Sequence, residues 1–214
     1  MRKIILTLVL LLPLMAQAQG TLYVSNLGQA PNGSVAVASD SWVAELFRTG
    51  TDSGGYDLNS VQLLMDAALG SPNAFTVLLY SNNSNFEPGS SLGSLTGSDP
   101  AGGGNFTYTA SSITLLPSTF YWIVITSTTP LASGSYYWSL ADTFNYSSSN
   151  GWGIGSYDKS SDGSSWVSNR SNPLQFAVDA STIPEPSTLA LAGLGLACLS
   201  FWRRRQCLTS NMTA

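Results

Sequence analysis

The middle of this 214-residue chain predicts an all-β sandwich. Charged residues make up only 9% of the sequence, whereas Ser, Thr, Gly, Asn and aromatic residues are abundant between its two ends. Short runs that alternate apolar and polar residues recur between turn-forming clusters, as in the strands of a sandwich. Helical periodicity is almost absent from the same region. Without a segment at each end, roughly 165 residues remain, enough for one domain with a buried core.

The first 18 residues have the three regions of a secretory signal peptide. Arg2 and Lys3 supply the charged region, an apolar run follows from Ile4 to Leu14, and small residues end at Ala18. We expect the Sec machinery to export the chain and signal peptidase to cut after Ala18, which leaves Gln19 first. The alternative is an uncleaved anchor, which the short apolar run and the small residues disfavour.

Alternating apolar residues predict the first strands of the domain. The residues predicted to share a face within each of three strands are Trp42, Ala44 and Leu46; Val61, Leu63 and Met65; and Phe75, Val77 and Leu79. Glu45 is predicted to lie on the opposite face of the first strand, and Gln62 and Asp66 on that of the second. The Glu87-Pro88-Gly89-Ser90 segment predicts a turn, because Pro fixes φ and Gly accepts a positive φ.

The least polar run of the domain, Phe120 to Thr126, is predicted to be a central strand that is apolar on both faces. Two further strands follow at Tyr136–Leu140 and Leu174–Val178. In the last strand the apolar residues alternate with Gln175 and Asp179, which are predicted to point outward. The pattern predicts about eight to ten strands in all.

The exported part is acidic and has no cysteine. From Gln19 to Ile183 there are three basic and eleven acidic residues, a net charge of −8. This charge disfavours nucleic acid and anionic surfaces as partners. Both cysteines, Cys198 and Cys207, lie in or after the tail, so a disulfide framework is excluded from the domain.

The C-terminal tail has the layout of a sorting signal. Pro184-Glu185-Pro186 precedes 14 uncharged residues, Leu189 to Trp202, which end at Arg203-Arg204-Arg205. As a helix this run would cover roughly 21 Å, less than the ~30 Å hydrocarbon core, so insertion requires local thinning and snorkelling arginines. A buried core helix is the alternative, but the helix-breaking prolines and the arginine cluster favour a short transmembrane helix.

The order of these elements resembles the PEP-CTERM sorting domain of exported Gram-negative bacterial proteins. The resemblance implies that exosortase, a membrane-embedded enzyme, recognises Pro184, Glu185 and Pro186 and cuts near them. By the same resemblance, Arg203, Arg204 and Arg205 form the basic stop. Residues 206–214 continue past the point where such tails usually end, which predicts impaired processing with unchanged topology.

The two basic clusters predict the topology of the precursor. The positive-inside rule places both ends in the cytoplasm, including the short tail 206–214, and the domain across the membrane. We therefore expect an inner-membrane-anchored precursor, followed by a product in the cell envelope or extracellular matrix.

Three segments of residues 21–180 resemble the choice-of-anchor R domain. These segments are Asn26-Leu27-Gly28-Gln29, the Tyr-Trp-Ile-Val strand that begins at Tyr121, and Ser161-Asp162-Gly163-Ser164-Ser165-Trp166. The resemblance implies a jelly-roll-like surface domain, over residues 19–180, and brings no established activity. The sorting signal then occupies residues 181–205.

The residue types that are missing limit the chemistry. The chain has no histidine and its exported part has no cysteine, which excludes Ser-His-Asp and Cys-His nucleophiles and His- or thiolate-bound metals. Any eleven acids supply some pair at the spacing of a glycosidase, so such a pair is not specific. Asp158 and Asp162-Gly163 are candidate calcium ligands, but their spacing fits no calcium loop and a solvated turn is the simpler interpretation.

Two tryptophans in loop-like segments are candidate ligand contacts. Trp152 lies between glycines and Trp166 follows a Ser-rich segment, so each ring is a candidate for stacking on a sugar. The alternative is packing at the edge of the core. The sequence therefore leaves two hypotheses: a non-catalytic envelope or matrix protein sorted by exosortase, and a module that binds exopolysaccharide through Trp152 or Trp166.

Overall fold

The computed structural model describes residues 20–169 and 172–184, together with Gly193, Gly195 and Cys198. Within these ranges fourteen β-strands form two antiparallel sheets, and the three tail residues are helical. The predicted all-β class and the antiparallel two-sheet arrangement are confirmed.

Sheet 1 has eight strands in the order β11-β1-β14-β4-β10-β2, with β7 and β8 on the other edge of β4. Its long strand β4 pairs with β14 through its first half and with β10 through its second half. The strands, numbered along the chain, are β1 (Thr21–Ser25), β2 (Pro31–Val37), β4 (Tyr56–Gly70), β7 (Gly104–Thr109), β8 (Thr114–Leu115), β10 (Gly134–Ala141), β11 (Ser147–Ser148) and β14 (Phe176–Thr182).

Sheet 2 has six strands in the order β13-β12-β3-β9-β5-β6. The predicted central strand is confirmed, because β9 lies between β3 and β5 and all but its first residue are buried. The strands are β3 (Trp42–Arg48), β5 (Thr76–Asn82), β6 (Pro88–Leu95), β9 (Phe120–Thr126), β12 (Gly153–Ser160) and β13 (Val167–Asn169).

The two sheets pack face to face through one continuous hydrophobic cluster, called here the main core. Strand β4 contributes Val61 and Leu63 from sheet 1, and β9 contributes Ile123 from sheet 2. The rings of Phe47 and Phe176 meet across the sheets with centroids 6.4 Å apart. The inward faces predicted for the strands at Val61–Met65 and Phe75–Leu79 are confirmed, since Val77 and Leu79 also belong to this core.

A second apolar cluster covers the outer face of sheet 2. This outer cluster is built from Ala44, Trp122, Val124 and Trp166, with Trp42, Leu46, Leu78 and Tyr80 packed against it. Sheet 2 is therefore apolar on both faces, which is why β9 has a continuous run of apolar residues rather than an alternation.

The shared face predicted for β3 is confirmed, whereas the direction predicted for Gln175 in the last strand needs correction. Trp42, Ala44 and Leu46 do share a face, but it is the outer one, and Glu45 points into the interior beside the main core. The apolar residues on both faces of β3 made its alternation ambiguous. Gln175, predicted to point outward, is also fully buried.

The turn predicted at Glu87–Ser90 is wrong and lies four residues earlier. The Asn83 side chain accepts hydrogen bonds from the amides of Asn85 and Glu87, and the Asn83 amide donates to the Glu87 carbonyl. An Asn side chain can replace a backbone acceptor in a turn in this way. Pro88 instead begins β6, an edge strand, where a missing N–H is tolerated.

Candidate functional site

The last strand of the sandwich leads directly into the predicted sorting signal. Thr182 at the end of β14 pairs with Tyr56, and the amide of Ile183 donates to the Gly55 carbonyl at 3.1 Å. Pro184 is exposed immediately after this hydrogen bond. The ordered domain thus extends past the predicted boundary at residue 180 and leaves no linker before the Pro-Glu-Pro segment. Glu185, Pro186 and Arg203 to Arg205 lie outside the described residues.

The N-terminus of the domain lies beside this exit. Thr21 in β1 pairs with Ala180 in β14, so the first strand and the last are neighbours in sheet 1. Residues 1–18 and the predicted cleavage site between Ala18 and Gln19 lie outside the described residues and remain predictions. Because β4 and β9 both begin where β14 ends, we call this side of the sandwich the exit end.

A groove of about 530 Å³ lies at the exit end. Leu92, Leu116 and Phe120 supply its apolar wall, and Asn82 is among its polar residues. The Phe86 ring packs edge-on against Phe120 with centroids 5.5 Å apart. Leu116 is 62% exposed and Phe86 59%, so this end presents apolar side chains to solvent.

Backbone pairing places this groove next to the end of β14. Leu115 in β8 pairs with Tyr56, which on its other edge pairs with Thr182. With strands about 4.8 Å apart, Leu115 lies roughly 10 Å from the last residue of β14. Leu116 itself is held by its own backbone, since its amide donates to the Tyr121 hydroxyl and its carbonyl accepts from Thr49. No periodic pattern in the sequence marks this groove, because residues from four strands and from the loop between β8 and β9 form it together.

Trp152 is a core residue, and the prediction that it presents its ring to a ligand is wrong. Its side chain is only 2% exposed and stacks on Tyr23 with centroids 4.9 Å apart. Tyr56 meets the same ring edge-on, and Phe47 lies nearly parallel to it. The flanking glycines let the chain turn close to the sandwich rather than expose the indole.

Trp166 packs on the outer face of sheet 2, in the outer cluster. It is 9% exposed and contacts the group that contains Ala44, Trp122 and Val124. The preceding turn holds it there: Gly163 has φ of 75° and lies against the Trp42 ring, where a Cβ would approach within 2.9 Å. Trp166 and Trp152 both pack in apolar clusters, which is the alternative to ligand contact that the sequence also allowed.

Glu45 is a fully buried carboxyl that the sequence did not single out. One of its oxygens accepts a hydrogen bond from the Leu174 amide at 2.9 Å, and the other has no partner among the described residues. Burial raises the pKa of Glu45 well above its usual value, and the neighbouring Asp158 carboxyl raises it further. A lone acid within an apolar strand that is covered on both faces is the signal that could have revealed it.

Asp158 is the second buried carboxyl of sheet 2. It lies in β12, opposite Ala44 in β3, and its side chain is almost fully buried. Burial raises the pKa of Asp158 to about 6, against a lowering influence from the nearby Ser168 hydroxyl. Glu45 and Asp158 are therefore both buried against sheet 2, and neither carboxyl faces an open cleft.

Asp162 forms a tight turn after β12. Its carboxylate accepts hydrogen bonds from the Ser160 hydroxyl and from the amides of Ser164 and Ser165. These bonds lower the pKa of Asp162, which is the expected effect of donors on a carboxylate. Across the described ranges, no three His, Cys, Asp or Glu side chains come together as a metal-binding group. Asp158 is therefore buried in sheet 2, whereas Asp162 lies in the turn that follows β12.

The Asn26-Leu27-Gly28-Gln29 segment ties β1 to the strand at the end of the chain. The Asn26 side chain donates to the Leu174 carbonyl and accepts from the Phe176 amide, at 2.8 and 2.7 Å. The Gln175 side chain donates to the Gln29 carbonyl at 2.8 Å. This network accounts for the burial of Gln175 and gives the segment a structural role. The resemblance of the domain to choice-of-anchor R remains a prediction.

The tail was expected to contain a short membrane helix. The described residues include no helix long and apolar enough to span a bilayer. Most of the run from Leu189 to Trp202 lies outside them, so the predicted helix stays a prediction.

Comparison with known proteins identifies the C-terminal segment. Residues 182–205 match the family model of the PEP-CTERM protein-sorting motif. No curated protein and no solved structure matches the chain. The matched segment begins in the last residue of β14 and ends at Arg205, so it includes every sorting residue predicted from sequence. The chain therefore carries a PEP-CTERM sorting motif, the signal of exported proteins that are anchored as membrane precursors and processed by exosortase.

Proposed function

We propose that this protein is a non-catalytic component of the cell envelope or extracellular polymeric matrix, delivered there by exosortase. The observation that carries the proposal is the direct passage from β14 into the matched motif. A complete sandwich ends at Ile183, and the sorting signal follows without a further domain between them. In this scheme the Sec machinery and signal peptidase act first, at the N-terminus.

The placement of the acids supports a non-catalytic role. A glycosidase displays two carboxyls toward a substrate, whereas Glu45 and Asp158 are both enclosed in sheet 2. Among the described residues that line the groove at the exit end, none is acidic. The chain also has no histidine to act as a general base.

The surface composition supports a role in adhesion or as bulk matrix. The exported part has a net charge of −8 and a surface rich in Ser and Thr. Such a surface stays hydrated and resists collapse onto other acidic polymers. The protein would then act by adhesion through its surface or as bulk material of the matrix, and not by catalysing a reaction.

Intact mass spectrometry of the protein from cells with and without exosortase tests the sorting step. We expect the protein from exosortase-containing cells to begin near Gln19 and to lack Arg203 to Arg205. Without the enzyme, and in a Glu185→Ala variant, we expect the arginines to remain. The matched control is Glu87→Ala, an acid outside the motif, which should be processed normally. A mass that retains the arginines in cells with active exosortase would overturn the proposal.

Exopolysaccharide binding is the second candidate function. The outer cluster favours it, because Trp42 and Tyr80 remain half-buried beside Trp166 and present part of an aromatic surface. Tryptophan fluorescence of the mature protein, titrated with exopolysaccharide, tests it directly. We expect a saturable change that Tyr80→Ala abolishes and that Tyr146→Ala, an exposed tyrosine elsewhere, leaves intact. A signal that does not saturate would exclude this function.

A further inference from the structure

We propose that the exit end of the sandwich docks on the outer surface of the inner-membrane bilayer while the tail is still attached. The inference rests on the proposed sorting function, because it requires a membrane-anchored precursor. The lipid contact is a defined face of the domain, and the groove between Leu92, Leu116 and Phe120 lies at its centre.

The short tether is the first argument. Ile183 makes the last backbone hydrogen bond that ties the chain to the sandwich, and the uncharged run begins at Leu189. From Pro184 to Leu189 the chain can span at most about 18 Å when fully extended. An anchored tail therefore holds the exit end close to the bilayer, and the opposite end of the sandwich points away from it.

The second argument is the chemistry of the exit end. Leu116 and Phe86 are more than half exposed there, and Phe120 is half-buried between them and the sheet. Aromatic and aliphatic side chains at the end of a membrane-tethered domain are well suited to the interfacial region of a bilayer. The groove beside them offers room for lipid tails or headgroups to approach the sheet.

The charges at this end set the strength of the contact. The Arg48 guanidinium lies 5.6 Å from the centroid of the Phe120 ring and is exposed, so it can meet phosphate groups at the same surface. Glu87 follows Phe86 in the same hairpin, and the exposed Asp57 accepts a hydrogen bond from Thr114 of the groove, so both acids oppose anionic lipid. The contact is therefore weak by itself and depends on the tail, which raises the local concentration of the domain at the bilayer.

A fluorescence experiment on the full chain tests the docking. Cys198 and Cys207 are replaced by Ser, and one new cysteine carries an environment-sensitive dye, in Ser118→Cys at the exit end or Ser133→Cys at the opposite end. Both serines are exposed turn residues, and each lies two positions after an exposed leucine. The protein is reconstituted in vesicles of phosphatidylethanolamine with a minority of phosphatidylglycerol.

We expect the dye emission to shift to the blue at position 118 and to stay unchanged at position 133. Leu116→Gln combined with Phe86→Asn should abolish the shift, and Asn tolerates the positive φ of residue 86. The matched control is Leu131→Gln, an exposed turn leucine at the opposite end, which should leave the shift intact.

Several outcomes would overturn the proposal, and they separate it from the sorting function. Protein that fails to float with the vesicles has no anchored precursor, so both proposals fall. Protein that floats but gives equal emission at both positions overturns docking alone. A blue shift at position 118 without vesicles would show that the groove is filled by the tail or by a second copy of the chain, and would also overturn it.

Discussion

Ile123 and Trp152 lie in the same main core but fill it differently. Ile123 lies in the central strand of sheet 2, whereas Trp152 comes from a loop and completes a group of four aromatic rings with Tyr23, Phe47 and Tyr56. The Trp152 indole N–H has no acceptor among the described residues, so its contribution comes from packing alone. Trp152, a loop residue, therefore belongs to the main core as fully as Ile123, a strand residue.

Truncation of either side chain should destabilise the domain strongly. We expect Ile123→Ala to cost about 2–5 kcal/mol and Trp152→Ala about 3–5 kcal/mol, because each leaves a cavity in a packed interior. Urea unfolding midpoints measure both changes. Val167→Ala, at a position that is 72% exposed, is the control and should stay within about 0.5 kcal/mol. A silent Trp152→Ala would contradict the packing described for its ring.

The two buried carboxyls predict that stability falls as the pH rises. Glu45 and Asp158 have raised pKa values in the folded state, so the native protein holds protons that the unfolded chain has already released. The contribution of these two acids to the free energy of unfolding should therefore be greatest below about pH 4 and decrease through about pH 6 as Asp158 ionises. Asp158 alone contributes at most about 3 kcal/mol to this decrease, and Glu45 extends it to higher pH.

Urea midpoints between pH 4.5 and pH 8 measure this dependence. Glu45→Gln keeps an acceptor for the Leu174 amide and removes the ionisation, so its stability should change less with pH than that of the unaltered protein. Asp142→Asn, an exposed acid, should leave the dependence unchanged. Stability that rises through this interval would show that the buried acids are ionised in the folded state.

Individual residues were the hardest feature to predict from the sequence. Gln175 was expected to be exposed because amide side chains usually are, and the alternation in β3 did not show that Glu45 is buried. Their burial depends on partners far along the chain, the Leu174 amide for one and the Gln29 carbonyl for the other. Trp152 was misplaced for a related reason, since the three aromatic rings that surround it belong to three separate strands.

At the level of elements, strands with a full apolar run or a clear alternation were predictable. The predicted Phe120–Thr126 has the same bounds as β9, and the alternation in β4 and β5 identified the core side correctly. The strands that were missed include β1, β2, β6 and β12. Strand β2 contains Pro31 and Gly33, and β12 contains two glycines, so neither shows the composition of a strand. Pairing with longer neighbours stabilises them instead.

The abrupt exit from β14 predicts that the sandwich limits access to the sorting motif. A spacer of six Gly and Ser residues inserted between Ile183 and Pro184 should move the domain away from the bilayer and speed processing. The same spacer between Gly102 and Gly103, in a loop at the opposite end of the sandwich, is the control and should have no effect. Pulse-labelling in cells with exosortase gives both rates. Slower processing with the first spacer would instead indicate that exosortase contacts the folded domain.

For the whole molecule, the order of sandwich and sorting motif could be predicted because each part has its own composition, and the signal peptide stays a prediction. The motif is a local pattern of prolines, apolar residues and arginines, and the family match supports it at residues 182–205. The exit groove could not be predicted. It arises only when β8, β9 and the hairpin between β5 and β6 meet at one end of the fold.

The sandwich should fold without its tail, a metal or a reducing agent. Residues of both sheets and of the loops between them build its main core, and residues 19–182 contain no cysteine. Expressed alone, they should give a cooperative unfolding transition and a β-type far-UV circular dichroism spectrum. Addition of EDTA should leave the midpoint unchanged. A helix-dominated spectrum, or loss of the transition with EDTA, would contradict this expectation.

The position of β14 in sheet 1 also determines when the domain can finish folding during export. It lies between β1 and β4 in sheet 1, although it is the last strand to leave the translocation channel. Until β14 emerges, the strand that joins β1 to β4 in sheet 1 is missing, so β1 cannot pair with the rest of that sheet. Folding can finish only when Thr182 has crossed, and Thr182 is also the first residue of the sorting motif. The domain therefore becomes complete at the moment when the tail arrives at the membrane, so exosortase is presented with a finished sandwich.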